Sequence, residues 1–110
     1  MKNELKSIVL KDCPYSIALR ELLTNYNILS TYIKVDQKTK YKYKTDKIDT
    51  FPQVYINDVL IGGYNDTKEI IDLINTRNLT KIKKGLKTKY PNLNEKNILR
   101  IIQLFIPHSK

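Results

Sequence analysis

The sequence predicts an α/β protein in which helices pack against a mixed β-sheet, and three observations support this fold class. Strand and helix signals alternate along the chain, which is typical of packed layers of the two elements. Thr31–Val35 is β-branched and aromatic, as in a strand, and its place after a helix predicts a parallel, right-handed crossover. Two short apolar runs around Asn57-Asp58 predict an antiparallel hairpin. A chain of 110 residues is long enough for one small domain with a single core.

A short strand and a longer helix are predicted on either side of Cys13, the only cysteine of the chain. Residues 7–10 form the apolar strand, and the poor helix formers at residues 25–27 end the helix. Cys13 is expected at the N-cap, with Pro14 in the first helical position, where its missing N–H costs nothing. Side chains at helical spacing predict the buried face, namely Tyr15, Ala18, Leu19, Leu22 and Tyr26.

This position of Cys13 favours a reactive sulfur. The unpaired N–H groups and the positive end of the helix dipole point at it, and Lys11 adds nearby positive charge. Both effects favour the thiolate, which is the nucleophilic form. The alternative is a small, buried and inert cysteine, which is the more common role of a lone cysteine. The strand–Cys–Pro–helix context favours reactivity over that alternative.

The middle of the chain is expected to hold an open segment and then a hairpin. Residues 36–49 are polar and predict either a short helix or an irregular loop. Gln53–Ile56 and residues 59–61 are the hairpin strands, and Pro52 stands at the first position of its strand, where a missing ladder donor is tolerated. Gly62 and Gly63 end the hairpin and allow a close backbone approach.

A second helix is predicted to begin at Asp66, which is an acidic cap followed three residues later by Glu69, as in a capping box. Both a plain capping role and a ligand-binding role are open for Asp66. The N-terminus of this second helix is suited to binding an anion. Its buried face is expected to comprise Thr67, Ile70, Ile71 and Ile74.

The chain divides by pattern into residues 1–78 and residues 79–110. Residues 81–90 are expected to be a basic connector containing Gly85, followed by a helix that Asn92 caps and Pro107 ends. We expect this helix to pack on the same domain, and self-association or partner docking is the alternative. Its buried stripe is expected to comprise Ile98, Ile101, Ile102 and Phe105, widened by Leu99, Leu104 and Ile106, whereas His108 has no expected role.

Three motifs give the chain its resemblance to a known family. They are CPYS at residues 13–16, TFPQVYI at residues 50–56 and IGGYND at residues 61–66. In this order and spacing they resemble the motifs of glutaredoxins, and the resemblance extends over residues 7–74. It implies a thioredoxin-like fold with a central four-stranded mixed sheet flanked by helices, to which the C-terminal helix is added. It also implies thiol–disulfide exchange on glutathione mixed disulfides.

The resemblance further implies a glutathione groove around a catalytic Cys13. A cis bond before Pro52 would turn the backbone of Phe51 toward the sulfur, where it can pair with the cysteinyl part of glutathione. The start of the second helix would receive the γ-glutamyl end, with Asp66 facing the ammonium. Expected glutathione-binding residues are Lys11, Tyr15, Phe51, Pro52, Gly63, Tyr64, Asn65 and Asp66.

Some assignments in this groove stay open at the level of sequence. Lys11 lies two residues before the cysteine, whereas many glutaredoxins have a lysine three before it, so it either lines the groove or is a solvated charge. Asn65 replaces an aspartate that is frequent in the family, which would weaken the grip on the ligand. Gln37, Lys38 or Lys40 could hold the glycine carboxylate of glutathione.

Ser16 predicts the mechanism. It takes the position where a dithiol enzyme has a second cysteine, and a hydroxyl cannot usefully attack a disulfide at neutral pH. A monothiol route with a second glutathione therefore remains. The alternatives are a cofactor-binding module, in which Cys13 and glutathione bridge a [2Fe-2S] cluster between protomers, and a non-enzymatic interaction protein. No other metal site is expected, and the oligomeric state is open.

The charge is unevenly distributed. Residues 1–76 carry 11 basic and 10 acidic side chains, whereas residues 77–110 carry nine basic side chains and one acid, Glu95. Such a basic segment can bind nucleic acid or another anionic partner. The favoured alternative is the composition of an AT-rich genome, since the chain is rich in Lys, Asn, Ile and Tyr.

The remaining features predict a cytoplasmic protein without a membrane partner. No apolar run approaches the length of about 20 residues that spans a bilayer. The first residues lack the apolar core of a secretory signal. One cysteine cannot form an internal disulfide, which fits a reducing compartment.

Overall fold

The structure, a computed structural model, describes residues 3–106. It contains a four-stranded sheet in the order β2-β1-β3-β4. Its elements in chain order are β1 (Leu5–Leu10), α1 (Pro14–Asn25), β2 (Thr31–Val35), a 3-10 turn (Lys40–Tyr43), β3 (Gln53–Ile56), β4 (Val59–Gly62), α2 (Tyr64–Asn75), α3 (Leu79–Lys89) and α4 (Glu95–Phe105). No helix in residues 3–106 is long and apolar enough to cross a membrane.

The sheet is mixed, as the sequence predicts. β1 pairs in parallel with β2, so that Ile8 lies beside Ile33, and it pairs antiparallel with β3 on its other side. β3 and β4 form the predicted hairpin, and Asn57 in its turn has a positive φ of 53°. Together with the flanking helices, this arrangement confirms the α/β, thioredoxin-like fold.

The buried face of α1 differs from the expected one. Tyr15 and Tyr26 were expected on that face, but their exposed fractions are 61% and 36%. Leu19 is buried as expected, together with Ser16 and Leu23, which were not expected on that face. The apolar periodicity was misleading here because Ser16 is polar and yet buried, whereas Tyr15 has a largely apolar ring and is yet exposed. Ser16 can be buried because its hydroxyl oxygen accepts a hydrogen bond from the backbone N–H of Leu10, at 3.0 Å.

The open segment between β2 and β3 is an irregular loop with one short helical turn, Lys40–Tyr43. The buried Gln53 fixes this turn, since its side-chain Nε2 donates to the carbonyl oxygen of Tyr43 at 2.8 Å. β3 begins at Gln53, so Pro52 immediately precedes the strand instead of opening it. The start of β3 and the loop are therefore held together beside the site described below.

The N-cap of α2 lies three residues earlier than expected, which changes the role of Asp66. The N-cap is Gly63, and Asp66 is the third residue inside the helix. Its carboxylate accepts a hydrogen bond from the backbone N–H of Gly63 at 3.0 Å. Asp66 therefore supplies the acidic half of a capping box, and a glycine stands at the cap. The buried face is the predicted one, made of Thr67, Ile70, Ile71 and Ile74.

The expected basic connector is instead a helix, α3. Asn78 caps it, because its side-chain oxygen accepts a hydrogen bond from the backbone N–H of Lys81 at 3.1 Å. Ile82 and Leu86, one turn apart, are buried beneath the exposed lysines. A Cβ at Gly85 would lie 2.8 Å from a methyl of Leu73, so α2 and α3 are in close contact. The density of lysines hides this apolar pair in the sequence.

α4 buries the four residues predicted for it, Ile98, Ile101, Ile102 and Phe105. Its cap is Asn94, not Asn92, and the Asn94 side chain accepts a hydrogen bond from the backbone N–H of Asn97 at 2.9 Å. The buried side chains of α3 and α4 belong to the same hydrophobic cluster as those of the sheet and of α2. Pro107 and His108 lie outside the described residues.

Candidate functional site

Cys13 lies where the sequence predicts it, at the N-cap of α1, with Pro14 as the first helical residue. Its backbone is extended, with φ −93° and ψ 120°, and the preceding Asp12 has a positive φ of 61°. Within the described residues, the first turn of α1 has no acidic side chain. The thiol is partly exposed. It can therefore meet a substrate while the positive end of the helix faces it.

A second segment approaches the sulfur from the end of the loop before β3. The Phe51–Pro52 peptide bond is cis. The carbonyl oxygen of Phe51 lies 3.9 Å from Cys13 Sγ, which makes a weak S–H···O contact. The backbone of residue 51 is thus presented beside the thiol, as the resemblance implied.

The β4–α2 junction completes the corner that Cys13 and the Phe51–Pro52 segment form. A Cβ placed on Gly63 would lie 3.5 Å from the carbonyl oxygen of Pro52, so this junction contacts the cis-proline segment. The rings of Tyr15 and Tyr64 are 6.2 Å apart and tilted by 51°, which brings the first turns of α1 and α2 together. The structure therefore places the starts of both helices and the cis-proline around Cys13.

Ser16 lies inside this corner and not at its surface. The residue is only 2% exposed. Its hydrogen bond to the N–H of Leu10 joins the end of β1 to the first turn of α1. This structural task of Ser16 was not predicted, because nothing in the local pattern indicates a buried hydroxyl.

Both carboxylate oxygens of Asp66 accept hydrogen bonds. Oδ2 accepts from the backbone N–H of Gly63, and Oδ1 accepts from Lys89 Nζ at 2.7 Å. Lys89 also donates to Glu69 Oε2 at 2.7 Å. Gly62 allows this arrangement because its φ is 134° and any side chain there would collide with the Asp66 carboxyl group.

These contacts set the charge state of the pair. Partial burial opposes ionisation of Asp66, but the hydrogen bonds from Lys89 and from Gly63 outweigh it and hold the pKa of Asp66 below its usual value. Burial likewise opposes the charged form of Lys89, but the hydrogen bonds to Asp66 and Glu69 raise its pKa. Both groups are therefore charged near neutral pH.

Tyr90 ties the end of α3 to the same corner. Its hydroxyl donates to the carbonyl oxygen of Ile61 in β4 at 2.7 Å. Burial, and secondarily the negative charges of Asp66 and Glu69, raise the pKa of Tyr90 far above its usual value. Lys89 and Tyr90 are site residues that the sequence analysis missed, since both belong to a segment expected to be a connector.

A shallow concavity lies on the other side of Cys13. It includes Lys11, Gln37 and Lys38 among its lining residues. Asp36 shapes its rim, since its carboxylate accepts backbone hydrogen bonds from Lys38 and Thr39 at 2.9 Å each, which lower the pKa of Asp36. Lys40 is not among the lining residues, and its ammonium lies 5.3 Å from the ring centre of Tyr41. Of the candidates for the glycine carboxylate, the structure brings Gln37 and Lys38 near the thiol.

The fold and this corner define a class: proteins of thioredoxin-like fold that present a cysteine at a helix start, opposite a cis-proline. The comparison with family models agrees, since residues 2–61 match the model described as Glutaredoxin. The chain belongs to the glutaredoxin family, whose members are glutathione-dependent thiol oxidoreductases.

Two relatives and two solved structures illustrate the similarity. Glutaredoxin 1 of Rickettsia prowazekii is 32% identical over 73 residues, which cover 59% of this chain and 77% of the relative. Glutaredoxin 1 of Rickettsia typhi is 29% identical over 101 residues, which cover 84% and 91%. The structure of Glutaredoxin 1 from Francisella tularensis, complexed with cacodylate, superposes with a TM-score of 0.58 at 24% identity, covering 68% of this chain and 99% of that one.

The second solved structure is a glutaredoxin from buckwheat in complex with glutathione. It has a TM-score of 0.54 and 18% identity, and the match covers 74% of this chain and 78% of that one. These two structural similarities support the fold. The family-model match ends at residue 61, before Asp66 and Lys89.

Proposed function

We propose that this protein is a monothiol glutaredoxin that exchanges thiols with glutathione mixed disulfides. The observation that carries the proposal is the position of Cys13. The thiol is partly exposed at the start of α1 and lies 3.9 Å from the carbonyl oxygen of Phe51. The membership of the chain in the glutaredoxin family supports glutathione as the co-substrate.

The reaction proceeds in two exchanges. In the first, the Cys13 thiolate attacks the glutathione sulfur of a mixed disulfide, a Cys13–glutathione disulfide forms, and the bond to the substrate sulfur breaks, so that the substrate leaves as a thiolate and takes up a proton. In the second, the thiolate of another glutathione attacks the glutathione sulfur on Cys13. Oxidised glutathione leaves, and Cys13 returns as a thiolate. The net reaction converts the mixed disulfide and one glutathione into the free substrate thiol and oxidised glutathione.

The proposed groove uses the surfaces around the thiol. The backbone of Phe51 pairs with the cysteinyl part of glutathione, and Tyr15 and Pro52 line the groove beside the sulfur. The γ-glutamyl end binds at the start of α2, at Gly63, Tyr64, Asn65 and Asp66. Lys11, with Gln37 or Lys38, faces the glycine carboxylate across the concavity beside Cys13.

The monothiol route rests on Ser16. Cys13 is the only cysteine of the chain, and the Ser16 hydroxyl is buried and bonded to the backbone of Leu10. Neither feature supplies a thiol that could resolve a protein disulfide internally. Protein disulfides are therefore expected to be poor substrates compared with glutathione mixed disulfides.

The test is a glutathione-coupled assay on the mixed disulfide of glutathione with a small thiol. We expect Cys13→Ser to reduce the rate to that of the uncatalysed exchange, because the nucleophile is lost. Ser16→Ala is the matched control in the same motif, and we expect its rate per folded molecule to stay at the wild-type level. Equal rates for wild type and Cys13→Ser would contradict the proposal.

The other functions considered from the sequence stay predictions. A [2Fe-2S] cluster bridged by Cys13 would give visible absorbance and dimerisation after anaerobic reconstitution. Nucleic-acid binding by residues 77–110 would be steeply salt-dependent. Within residues 3–106, Lys83 and Lys87 of that segment already pair with Glu95, at 3.2 and 3.3 Å. A cytoplasmic location also stays a prediction.

A further inference from the structure

Lys89 connects the C-terminal part of the chain to the proposed γ-glutamyl subsite. It is the last residue of α3, and its ammonium lies 2.7 Å from both Asp66 Oδ1 and Glu69 Oε2. Its side chain is only 20% exposed, whereas those of Asp66 and Glu69 are 42% and 63% exposed. The ammonium is thus enclosed more than the two carboxylates that it bridges.

The neighbouring residue holds Lys89 in this position. The Tyr90 hydroxyl donates to the carbonyl oxygen of Ile61, so the end of α3 is fixed to the end of β4. The Lys89 ammonium also lies 5.6 Å from the ring centre of Tyr90, within cation–π distance. The contact with Asp66 therefore belongs to a set of interactions and is not a single surface ion pair.

This arrangement changes what the subsite can recognise. The γ-glutamyl end of glutathione carries one ammonium and one carboxylate. Asp66 has one oxygen bonded to Gly63 N–H and the other to Lys89. A ligand ammonium on Asp66 would lie close to the Lys89 ammonium, and two such charges repel each other. A ligand carboxylate at the start of α2, in contrast, would be attracted by Lys89.

We propose that Lys89 is a specificity-determining residue that serves as a built-in counter-ion for Asp66. The Lys89 ammonium occupies the position on Asp66 that the ligand's ammonium would otherwise take. The protein therefore accepts γ-glutamyl thiols whether their α-amine is free or blocked. This inference rests on the proposed function, because it assigns the start of α2 to the γ-glutamyl end. It adds a substrate class, the amine-blocked derivatives of glutathione.

The test compares two unreactive probes, S-methylglutathione and its N-acetyl derivative, by NMR titration of the whole chain. The ratio of their dissociation constants measures how much the free amine contributes to binding. We expect a ratio near one for wild type. For Lys89→Met we expect it to rise about tenfold, because a charge-assisted contact between the ammonium and Asp66 becomes available and the carboxylate loses its cation.

Two further variants separate specificity from structure. Lys87→Met removes a lysine of the same helix that pairs with Glu95 instead, and we expect it to keep the wild-type ratio. Lys89→Arg keeps the positive charge, and we expect its ratio of dissociation constants to stay near one, as in wild type. A loss of stability alone would weaken the binding of both probes equally and leave the ratio unchanged.

The outcomes distinguish this inference from the function on which it rests. Equal ratios for wild type and Lys89→Met, or a wild-type ratio already near ten, would overturn the role of Lys89 and leave the glutaredoxin activity intact. If neither probe bound any variant and Cys13→Ser matched wild type in the coupled assay, the proposed function would fall as well.

Discussion

The two parts of this chain differ in charge, yet both contain fully buried side chains. Residues 1–76 are nearly neutral, whereas residues 77–110 carry nine basic side chains against one acidic side chain. Leu19 and Val54 in the first part are fully buried, and so are Leu86 and Ile98 in the second. The comparison shows that a strongly basic segment can contribute side chains as fully buried as those of the sheet, since Lys81, Lys84 and Lys87 lie on the exposed side of α3.

The second part also turns some of its charge toward the first. Lys89 bridges Asp66 and Glu69 of α2, and the hydroxyl of Tyr90 bonds to β4. The first part contributes the thiol and the cis-proline, and the second part sets the charge at the neighbouring helix start. The candidate site is thus contacted by residues of both parts, although the family-model match ends at residue 61.

The largest effect should come from the core of the second part. Phe105 is 1% exposed and packs in the cluster shared with the sheet. We expect Phe105→Ala to lower the free energy of unfolding by about 3–5 kcal/mol, because it leaves a cavity in that core. Urea denaturation measures the loss.

Leu99→Ala is the matched control for this prediction. Leu99 lies on the same helix but is 46% exposed. Its truncation should cost about 0.5 kcal/mol, as is usual for surface positions. A similar small cost for Phe105→Ala would mean that α4 is not an integral part of the core.

A smaller effect is expected at Ser16, in the first part. Ser16→Ala leaves the backbone N–H of Leu10 without its hydrogen-bond acceptor in a partly buried position. We expect a loss of about 1–2 kcal/mol in the free energy of unfolding, the lower part of the range for an unsatisfied donor that is shielded from water. Thr24→Ala, on the exposed side of the same helix, should be close to neutral. Equal stabilities of the two variants would show that the Ser16 hydrogen bond contributes nothing.

The sequence predicted the features that depend on neighbouring residues. Cys13 at a helix start, the hairpin at Asn57 and the buried faces of α2 and α4 follow from short-range patterns of apolar, β-branched and capping residues. The helix at residues 79–89 was missed because only two buried side chains, Ile82 and Leu86, lie among its lysines.

The contacts that were not predicted join distant positions. Lys89 is 23 residues from Asp66, and Tyr90 is 29 residues from Ile61. No local pattern encodes such a pair, because the packing of α3 against α2 creates it. The buried face of α1 differs for a shorter-range reason, because the hydrogen bond between the Ser16 hydroxyl and the N–H of Leu10, six residues away, allows a hydroxyl to be buried there.

The smallest effect is the pH dependence of the ion pair between the two parts. The pKa of Asp66 is lowered in the folded state, so its stabilising contribution is present above its ordinary value of 3.8 and is lost as the pH falls through the lowered value. The pKa of Lys89 is raised, so its contribution is present below its ordinary value of 10.5 and is lost as the pH rises through the raised one. The pair should therefore add stability over the whole neutral range.

Asp66→Asn tests the part of this pH dependence that lies at low pH, where Asp66 becomes protonated. Because Asp66 is 42% exposed, solvent screening limits the contribution to about 1 kcal/mol or less. We expect the variant to be slightly less stable than wild type at pH 7 and to approach it near pH 3, and Asp58→Asn in the exposed hairpin turn serves as the control for the loss of one negative charge. A constant gap between Asp66→Asn and wild type across this range would mean that the carboxylate charge does not hold α3 against α2. The contact would then depend on Tyr90, the apolar side chains and the Lys89–Glu69 ion pair.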